Sequence, residues 1–275
     1  MGHQVGLIGA GIGASLSPAL HEREAVEQGL EYSYRLLDID AHGADVGRLL
    51  EDCRSAGFSG VNVTHPCKQA VVAHLDALSP DAQALQAVNT VVFDGDGVSG
   101  HNTDTTGFAE NLTRSLPDAS LDHVVLLGAG GAGTAVALAI LRLGAARLTV
   151  VDVDAERART CVERLGSERV STGTLEALED ADGLVHATPT GMEGHDGGLP
   201  LADALLHSDL WVADIVYRPL ETPLLQRARE LGCRTLDGGG MAVFQAAGSF
   251  ELFTGVEPDR ERMLRHFGEL TGAVV

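Results

Sequence analysis

Apolar and polar positions along the chain alternate between two kinds of block. Short runs of Val, Ile and Leu read as buried strands. Longer stretches with apolar residues at helical spacing read as helices. Strands are predicted over residues 4–10, 32–39, 60–64, 88–93 and 98–101. Helices are predicted over 18–28 and 44–56, from near Lys68, after Pro80, and over 106–116. Ser17 followed by Pro18 marks a helix start, with the hydroxyl as N-cap and proline at the first helical position. Asp94-Gly95-Asp96-Gly97 has the composition of a hairpin turn. Residues 116–120, Leu-Pro-Asp-Ala-Ser, read as a linker. Beyond it, strands over 123–127, 147–151, 183–187, 211–216 and 234–236 alternate with helices over 131–143, 155–165 and 223–231. Two more helices follow over 241–253 and 258–270. Such alternation predicts an α/β fold with mostly parallel sheets.

Composition narrows the field. With 44% hydrophobic residues and few aromatics, the core is built from Val, Leu, Ile and Ala. A net charge of −20 leaves no basic surface to neutralise phosphates, so no nucleic-acid partner is expected. Cys53, Cys67, Cys161 and Cys233 lie far apart, without metal-ligand spacing, so neither zinc nor a disulfide framework is expected. The start of the chain lacks a basic-then-apolar leader pattern, which points to the cytoplasm. Residues 124–141 carry no charge and are long enough to cross a bilayer. A strand, a glycine turn and a helix explain them better, and no membrane association is expected.

That turn is Gly128-Ala129-Gly130-Gly131-Ala132-Gly133, which fits G-x-G-x-x-G between a strand and a helix. Glycine there lets backbone approach a pyrophosphate that rests on helix N-terminal amides. Asp152 ends the next strand, about 20 residues on, where a carboxylate accepts from the ribose 2′-OH of NAD and repels the 2′-phosphate of NADP. Arg157 is near enough in sequence to leave NADP use open. The alternative is a tight turn with no ligand. A second run, Gly9 to Ala14, fits a relaxed version of the pattern. Its helix starts several residues too late to meet a phosphate.

The chain has 18 arginines and one lysine, Lys68. Lysine can release a proton near neutrality when its surroundings favour that, and arginine cannot. A chance survivor of a biased composition is the alternative. Lys68 follows Val61-Asn62-Val63-Thr64-His65-Pro66-Cys67, a strand running into a turn. Functional groups collect at such strand ends. Asn62 and Thr64 alternate with valines and project on one face. His65 and Cys67, two apart at a turn, are not expected to form a nucleophilic pair.

This segment resembles the N-V-T-x-P-x-K motif of the shikimate dehydrogenase family. The resemblance continues through Ser15-Leu16-Ser17, Ala87-Val88-Asn89-Thr90, Asn102-Thr103-Asp104, the 128–133 turn, Ala187-Thr188-Pro189 and residues 240–246. The acid at Asp152 is most like the NAD-dependent quinate/shikimate branch. The resemblance implies a catalytic dyad of Lys68 and Asp104. It implies that Ser15 and Ser17 bind a substrate carboxylate, and that Asn62, Asn89, Asp104 and Gln245 bind ring hydroxyls, with Thr64 and Tyr217 adjoining. Cofactor contacts would come from Gly128, Gly130, Gly131, Ala132, Gly133, Asp152, Arg157 and Thr188, with Met241 near the nicotinamide. The expected cofactor is NAD, with NADP less favoured. The expected substrates are shikimate, quinate or their 3-dehydro forms, or an aminated analogue.

The implied architecture has a substrate-binding unit over 1–104, completed by helices of 241–275, and a Rossmann-type nucleotide-binding unit over 105–240. The site would lie in a cleft whose closure excludes water, and a monomer or homodimer is expected. In ketone reduction the cofactor supplies hydride and Lys68 a proton; in oxidation Lys68 takes the alcohol proton while Asp104 orients it. An adjacent carboxylate raises a lysine pKa and desolvation lowers it, so the sequence leaves the proton donor open. Plainer roles stand beside these: Ser17 as helix cap, Asn89 and Asn102 as turn ties, Tyr217 as packing. A methylenetetrahydrofolate dehydrogenase-like enzyme would want an aromatic pterin slot, which this chain hardly offers. A non-catalytic quinate or NAD sensor would not need Lys68 and Asp104.

Overall fold

The computed structural model describes residues 2–95, 97–195 and 197–272. The chain divides into two compact α/β units, Met1–Gly107 with Val243–Val275, and Phe108–Ala242.

The first unit holds β1 (His3–Gly9), β2 (Tyr32–Asp38), β3 (Gly60–Val63), β4 (Ala77–Leu78), β5 (Thr90–Asp94) and β6 (Gly97–His101). They form one sheet in the order β2-β1-β3-β5-β6-β4. β1 pairs parallel with β2 and β3, whereas β5 pairs antiparallel with β3 and β6. β4 pairs parallel with β6, so the sheet is mixed, with three of its five pairings parallel. The turn after β5 is too short for a crossover, and it returns the chain as a hairpin with Asp94 opposite Gly97. Asp96, which the hairpin expectation includes, lies outside the described residues. The helices here are α1 (Ser17–Glu27), α2 (Ile39–His42), α3 (Val46–Ser55), α4 (Pro80–Leu85) and the start of α5 (Thr103–Ser115). Leu49, Leu50 and Cys53 on one face of α3 pack with Val61, Val63 and Val91 of the sheet.

Three local expectations need correction. The helix begins at Ser17 itself, and Leu16 stands at the cap position with no side-chain bond, so Ser17 is not the cap. No α-helix starts at Lys68. Cys67 N–H donates to Thr64 O at 2.8 Å and Val88 N–H donates to Lys68 O at 2.8 Å, so this backbone serves a turn and a strand contact. A 3₁₀ turn follows over Ala70–His74. Helix α5 starts at Thr103, earlier than residue 106, because Asn102 Oδ1 accepts from Asp104 N–H at 3.2 Å and caps it.

The second unit holds β7 (His123–Leu127), β8 (Arg147–Val151), β9 (Val170–Thr172), β10 (Gly183–His186), β11 (Trp211–Asp214) and β12 (Arg234–Leu236), ordered β12-β11-β10-β7-β8-β9. Every pairing is parallel. Helices α6 (Gly131–Arg142), α7 (Ala155–Leu165) and α8 (Pro223–Glu230) connect the strands. The chain re-enters the first unit within α9 (Gly239–Thr254) and continues into α10 (Arg260–Thr271). This is the Rossmann-type arrangement, in which the strand order reverses beside β7. Its sheet is buried on both faces. Val124 and Leu126 join one apolar cluster, and Val125 and Leu127 join the other. The uncharged 124–141 run is β7 plus α6. Among the described residues, no helix is long and apolar enough to cross a membrane.

Candidate active site

In the first unit, chemistry collects where β3 and β5 meet. Asn62 faces Thr90 across the antiparallel pair. The Lys68 ammonium donates to Asp104 Oδ2 at 2.5 Å, and both side chains are largely buried, at 19% and 8% exposed. Asn89 Nδ2 donates to Asp104 Oδ1 at 2.9 Å, so each carboxylate oxygen has its own donor. The Asn89 amide is itself oriented, since its Oδ1 accepts from Thr103 N–H at 2.8 Å. Asn62 Nδ2 donates to Asn89 O at 3.2 Å and to Thr90 Oγ1 at 3.1 Å. Asn102 donates to Ala87 O at 3.0 Å and caps α5. Asn102 thus ties turns, as its plainer reading expects, while Asn89 ties a turn and also reaches Asp104.

Tyr34 joins this network although nothing in the sequence singled it out. Its buried hydroxyl donates to Asn62 Oδ1 at 2.8 Å. Burial pushes the phenol well above its ordinary range, against a hydrogen bond from Ser17. The Ser15 hydroxyl donates to Ser17 Oγ at 3.2 Å. Donors therefore run in one sense, Ser15 to Ser17 to Tyr34 to Asn62. Period-2 alternation on β2 would have marked Tyr34 only as core. Thr64 sits half-buried in the turn after β3, and Gln245 half-buried on α9, where its backbone closes on Gly107. Tyr217 belongs to the second unit, where it is 37% exposed. Burial pushes the Cys67 thiol up, away from a reactive thiolate.

In the second unit, Gly128 adopts φ 106°, and a Cβ there would lie 2.5 Å from Ala187 O. A Cβ on Gly133 would lie 2.0 Å from Gly128 O, so only glycine lets α6 pack this close to the turn. Gly130 and Gly131 face open space, and Gly130 caps α6 without a side-chain bond. Ala132, in the first turn of α6, is half-buried. Bare helix amides beside an open turn fit a pyrophosphate. Asp152 Oδ2 accepts from Ala129 N–H at 2.8 Å and Oδ1 from Asp154 N–H at 2.9 Å, which fixes the carboxylate next to the turn. The Arg157 guanidinium stands 3.6 Å from it. Thr188 packs against Gly128. Met241 is buried in the apolar cluster of this unit.

In the other glycine run the helix starts late. Gly11 takes φ 64°, a 3₁₀ turn follows, and α1 begins only at Ser17. Asp38 Oδ2 accepts from Ile12 N–H at 3.2 Å. Against partial desolvation, its bonds from loop amides hold Asp38 below the usual carboxylate range.

Comparison with known proteins agrees with this arrangement. Residues 7–91 match the shikimate dehydrogenase substrate binding domain, and residues 238–266 match the shikimate 5′-dehydrogenase C-terminal domain. A shikimate dehydrogenase (NADP(+)) of Streptomyces avermitilis is 60% identical over 98% of this chain and 96% of its own length. A quinate/shikimate dehydrogenase (NAD(+)) of Corynebacterium efficiens is 48% identical over 96% of each chain. The solved quinate dehydrogenase from Corynebacterium glutamicum in complex with NAD superposes with a TM-score of 0.92 at 45% identity, covering 98% of this chain and 99% of that one. Likeness of this degree, carried end to end, is conclusive: the chain belongs to the shikimate dehydrogenase family of oxidoreductases.

Proposed function

We propose that this enzyme interconverts shikimate with 3-dehydroshikimate, quinate with 3-dehydroquinate, or both, using NAD as hydride carrier. The observation that carries this reading is the ion pair of Lys68 and Asp104, the chain's single lysine held at 2.5 Å in a hydrogen-bonded network of asparagines.

Bound nicotinamide supplies or accepts the hydride. Lys68 gives a proton to the carbonyl oxygen during reduction, and as a cation it offsets negative charge growing there. In oxidation the neutral amine of Lys68 takes the alcohol proton and becomes the cation. Asp104 aims the amine with Oδ2, and Asn89 stops that carboxylate from rotating by donating to Oδ1. Asn62 has both amide hydrogens engaged, which leaves an Oδ1 lone pair to accept from a ring hydroxyl. Ser15 and Ser17 give up their bonds to Ser17 Oγ and Tyr34 to turn their hydroxyl protons to a substrate carboxylate, and Gln245 and Thr64 complete the ring contacts.

Gly128, Gly130, Gly131, Ala132 and Gly133 would hold the pyrophosphate, with Arg157 beside Asp152 and with Thr188 and Met241 toward the nicotinamide. Asp152 accepts from the adenosine ribose and disfavours a 2′-phosphate. A second reading, NADP, is favoured by the Arg157 guanidinium 3.6 Å from Asp152, a ready counter-charge for that phosphate. The Streptomyces avermitilis relative is named for NADP(+). Steady-state kinetics with two acids against two cofactors test the proposal. The highest kcat/KM is expected with NAD and one of the two acids. No turnover in any pairing refutes it, and a higher value with NADP selects the second reading.

A further inference from the structure

Beside the glycine turn, the second unit contains a continuous chain of hydrogen bonds whose buried members, His186 and Asp214, the proposed reaction does not use. Asp214, fully buried at the end of β11, accepts from Thr222 Oγ1 at 2.8 Å through Oδ2. Its Oδ1 accepts from Val216 N–H at 3.0 Å and pairs with His186 Nδ1 at 3.0 Å. His186, at the end of β10 and 0% exposed, meets the Thr188 hydroxyl through Nε2 at 2.5 Å. Thr188 is half-buried, and its methyl group would lie 2.9 Å from a Cβ on Gly128. The chain thus runs from the interior to the first residue of the cofactor turn.

Proton counting fixes its sense. A carboxylate only accepts, so the imidazole proton belongs on Nδ1, facing Asp214. Nε2 of that tautomer is an acceptor, and Thr188 owns the one proton that can fill it. Thr188 Oγ1 then has only lone pairs for anything else. Its other neighbours agree. Thr190 N–H donates to it from 3.3 Å; the 3.2 Å contact with the Thr190 hydroxyl is drawn with Thr188 as donor, and with the Thr188 proton committed to the much shorter 2.5 Å bond to Nε2 the Thr190 hydroxyl must supply the proton there instead. Both contacts are long, and a ligand donor at ordinary distance displaces the Thr190 hydroxyl.

Topology says which part of a dinucleotide reaches this oxygen. β10 and β8 flank β7 on opposite sides, so Thr188 and Asp152 bracket the turn. A pyrophosphate on the turn with its adenosine ribose toward Asp152 sends the nicotinamide half toward Thr188. Phosphate oxygens bring no donor at neutral pH, whereas the nicotinamide ribose hydroxyls and the carboxamide do. We propose that His186, held by Asp214, is a positioning residue that makes the Thr188 hydroxyl an acceptor for a donor group on the nicotinamide half of the cofactor. The inference rests on the dinucleotide reading of the turn.

Calorimetric titration of the full chain with NAD and with ADP tests it, because ADP lacks the nicotinamide half. Thr188→Val is expected to raise the NAD Kd about ten-fold, the value of one hydrogen bond, while the ADP Kd stays within about two-fold. Thr188→Ser should restore NAD binding, and His186→Gln should copy Thr188→Val. Equal losses for ADP and NAD would show Thr188 on the phosphates and overturn the proposal. Unchanged NAD affinity in Thr188→Val, or native binding in His186→Gln beside an impaired Thr188→Val, would also overturn it. Should His186→Gln give no cooperative melt, imidazole nitrogen shifts of the intact protein decide the tautomer. A proton on Nδ1 supports the relay, and one on Nε2 overturns it. A wild-type chain that binds neither ADP nor NAD refutes the dinucleotide reading itself.

Discussion

Replacing Lys68 by Met keeps the length of the side chain and removes its charge. Two effects follow, and they are separable. Loss of a general acid and base costs about 10²- to 10⁴-fold in rate. The substitution also leaves the Asp104 carboxylate, 8% exposed, with Asn89 as its remaining side-chain donor. Breaking a buried pair from one side costs about 3–5 kcal/mol. With Lys68 19% exposed, about 3 kcal/mol is the appropriate end of that range. Lys68→Met should therefore show kcat down at least about 100-fold and a lower urea midpoint. The double variant Lys68→Met/Asp104→Asn removes the stranded charge, so its midpoint should recover while kcat stays low. Stopped-flow turnover and urea unfolding on the same preparations give both numbers. If the double variant regains turnover with stability, the pair is structural and the catalytic assignment fails. That assignment fails equally if Lys68→Met alone keeps kcat within about ten-fold of wild type.

Other consequences can be measured as directly. Tyr34→Phe removes the donor to Asn62 Oδ1 and the partner of Ser17, so KM for the acid should rise about three- to ten-fold with kcat within about two-fold; an unchanged KM would make Tyr34 packing only. Asp152→Ser should narrow the preference for NAD over NADP, and an unaltered ratio of kcat/KM values would place the discriminating group elsewhere. His21 is fully buried, and desolvation lowers it to about 3 from 6.5. The unfolded chain therefore binds the proton first as pH falls. Stability from this group is complete above pH 6.5 and declines toward pH 3, by up to about 1.4 kcal/mol per unit. Burial lowers His101 and His266 as well, so they share the direction. Urea midpoints against pH should fall less steeply in His21→Asn, and identical slopes would exclude His21 as a contributor.

What the sequence makes legible follows from how locally each feature is encoded. The second unit is clear because β7 and β8 are short, mostly apolar runs and the glycine turn between strand and helix shows in its spacing, although Ala187, distant in sequence, also closes on Gly128. The late helix start after the 9–14 run is legible too, since Ser17 and Pro18 mark it. Short elements are harder to see. β4, β9 and α2 carry too few residues for a period to register, and strand pairing or caps decide them. The Lys68 segment reads as a helix start until Val88, distant in sequence, claims its carbonyl. Lys68 stood out by being single, and Asp104 through resemblance. Tyr34, His186 and Asp214 did not stand out, because a buried polar residue on a strand looks apolar in pattern until its partners on other strands are known. His21 likewise meets Tyr32 at 2.8 Å and Ser249 at 3.4 Å across large separations in sequence.

The central claim is hydride transfer between a substrate carbinol carbon and nicotinamide, with Lys68 handling the proton. Shikimate and quinate deuterated at the carbon to be oxidised, incubated with enzyme and NAD, test it most directly through mass analysis of the reduced cofactor. Label from at least one acid should appear in the reduced nicotinamide, and Lys68→Met should nearly abolish its appearance. Deuterium released to water, or found in the cofactor at wild-type rate without Lys68, would contradict the claim.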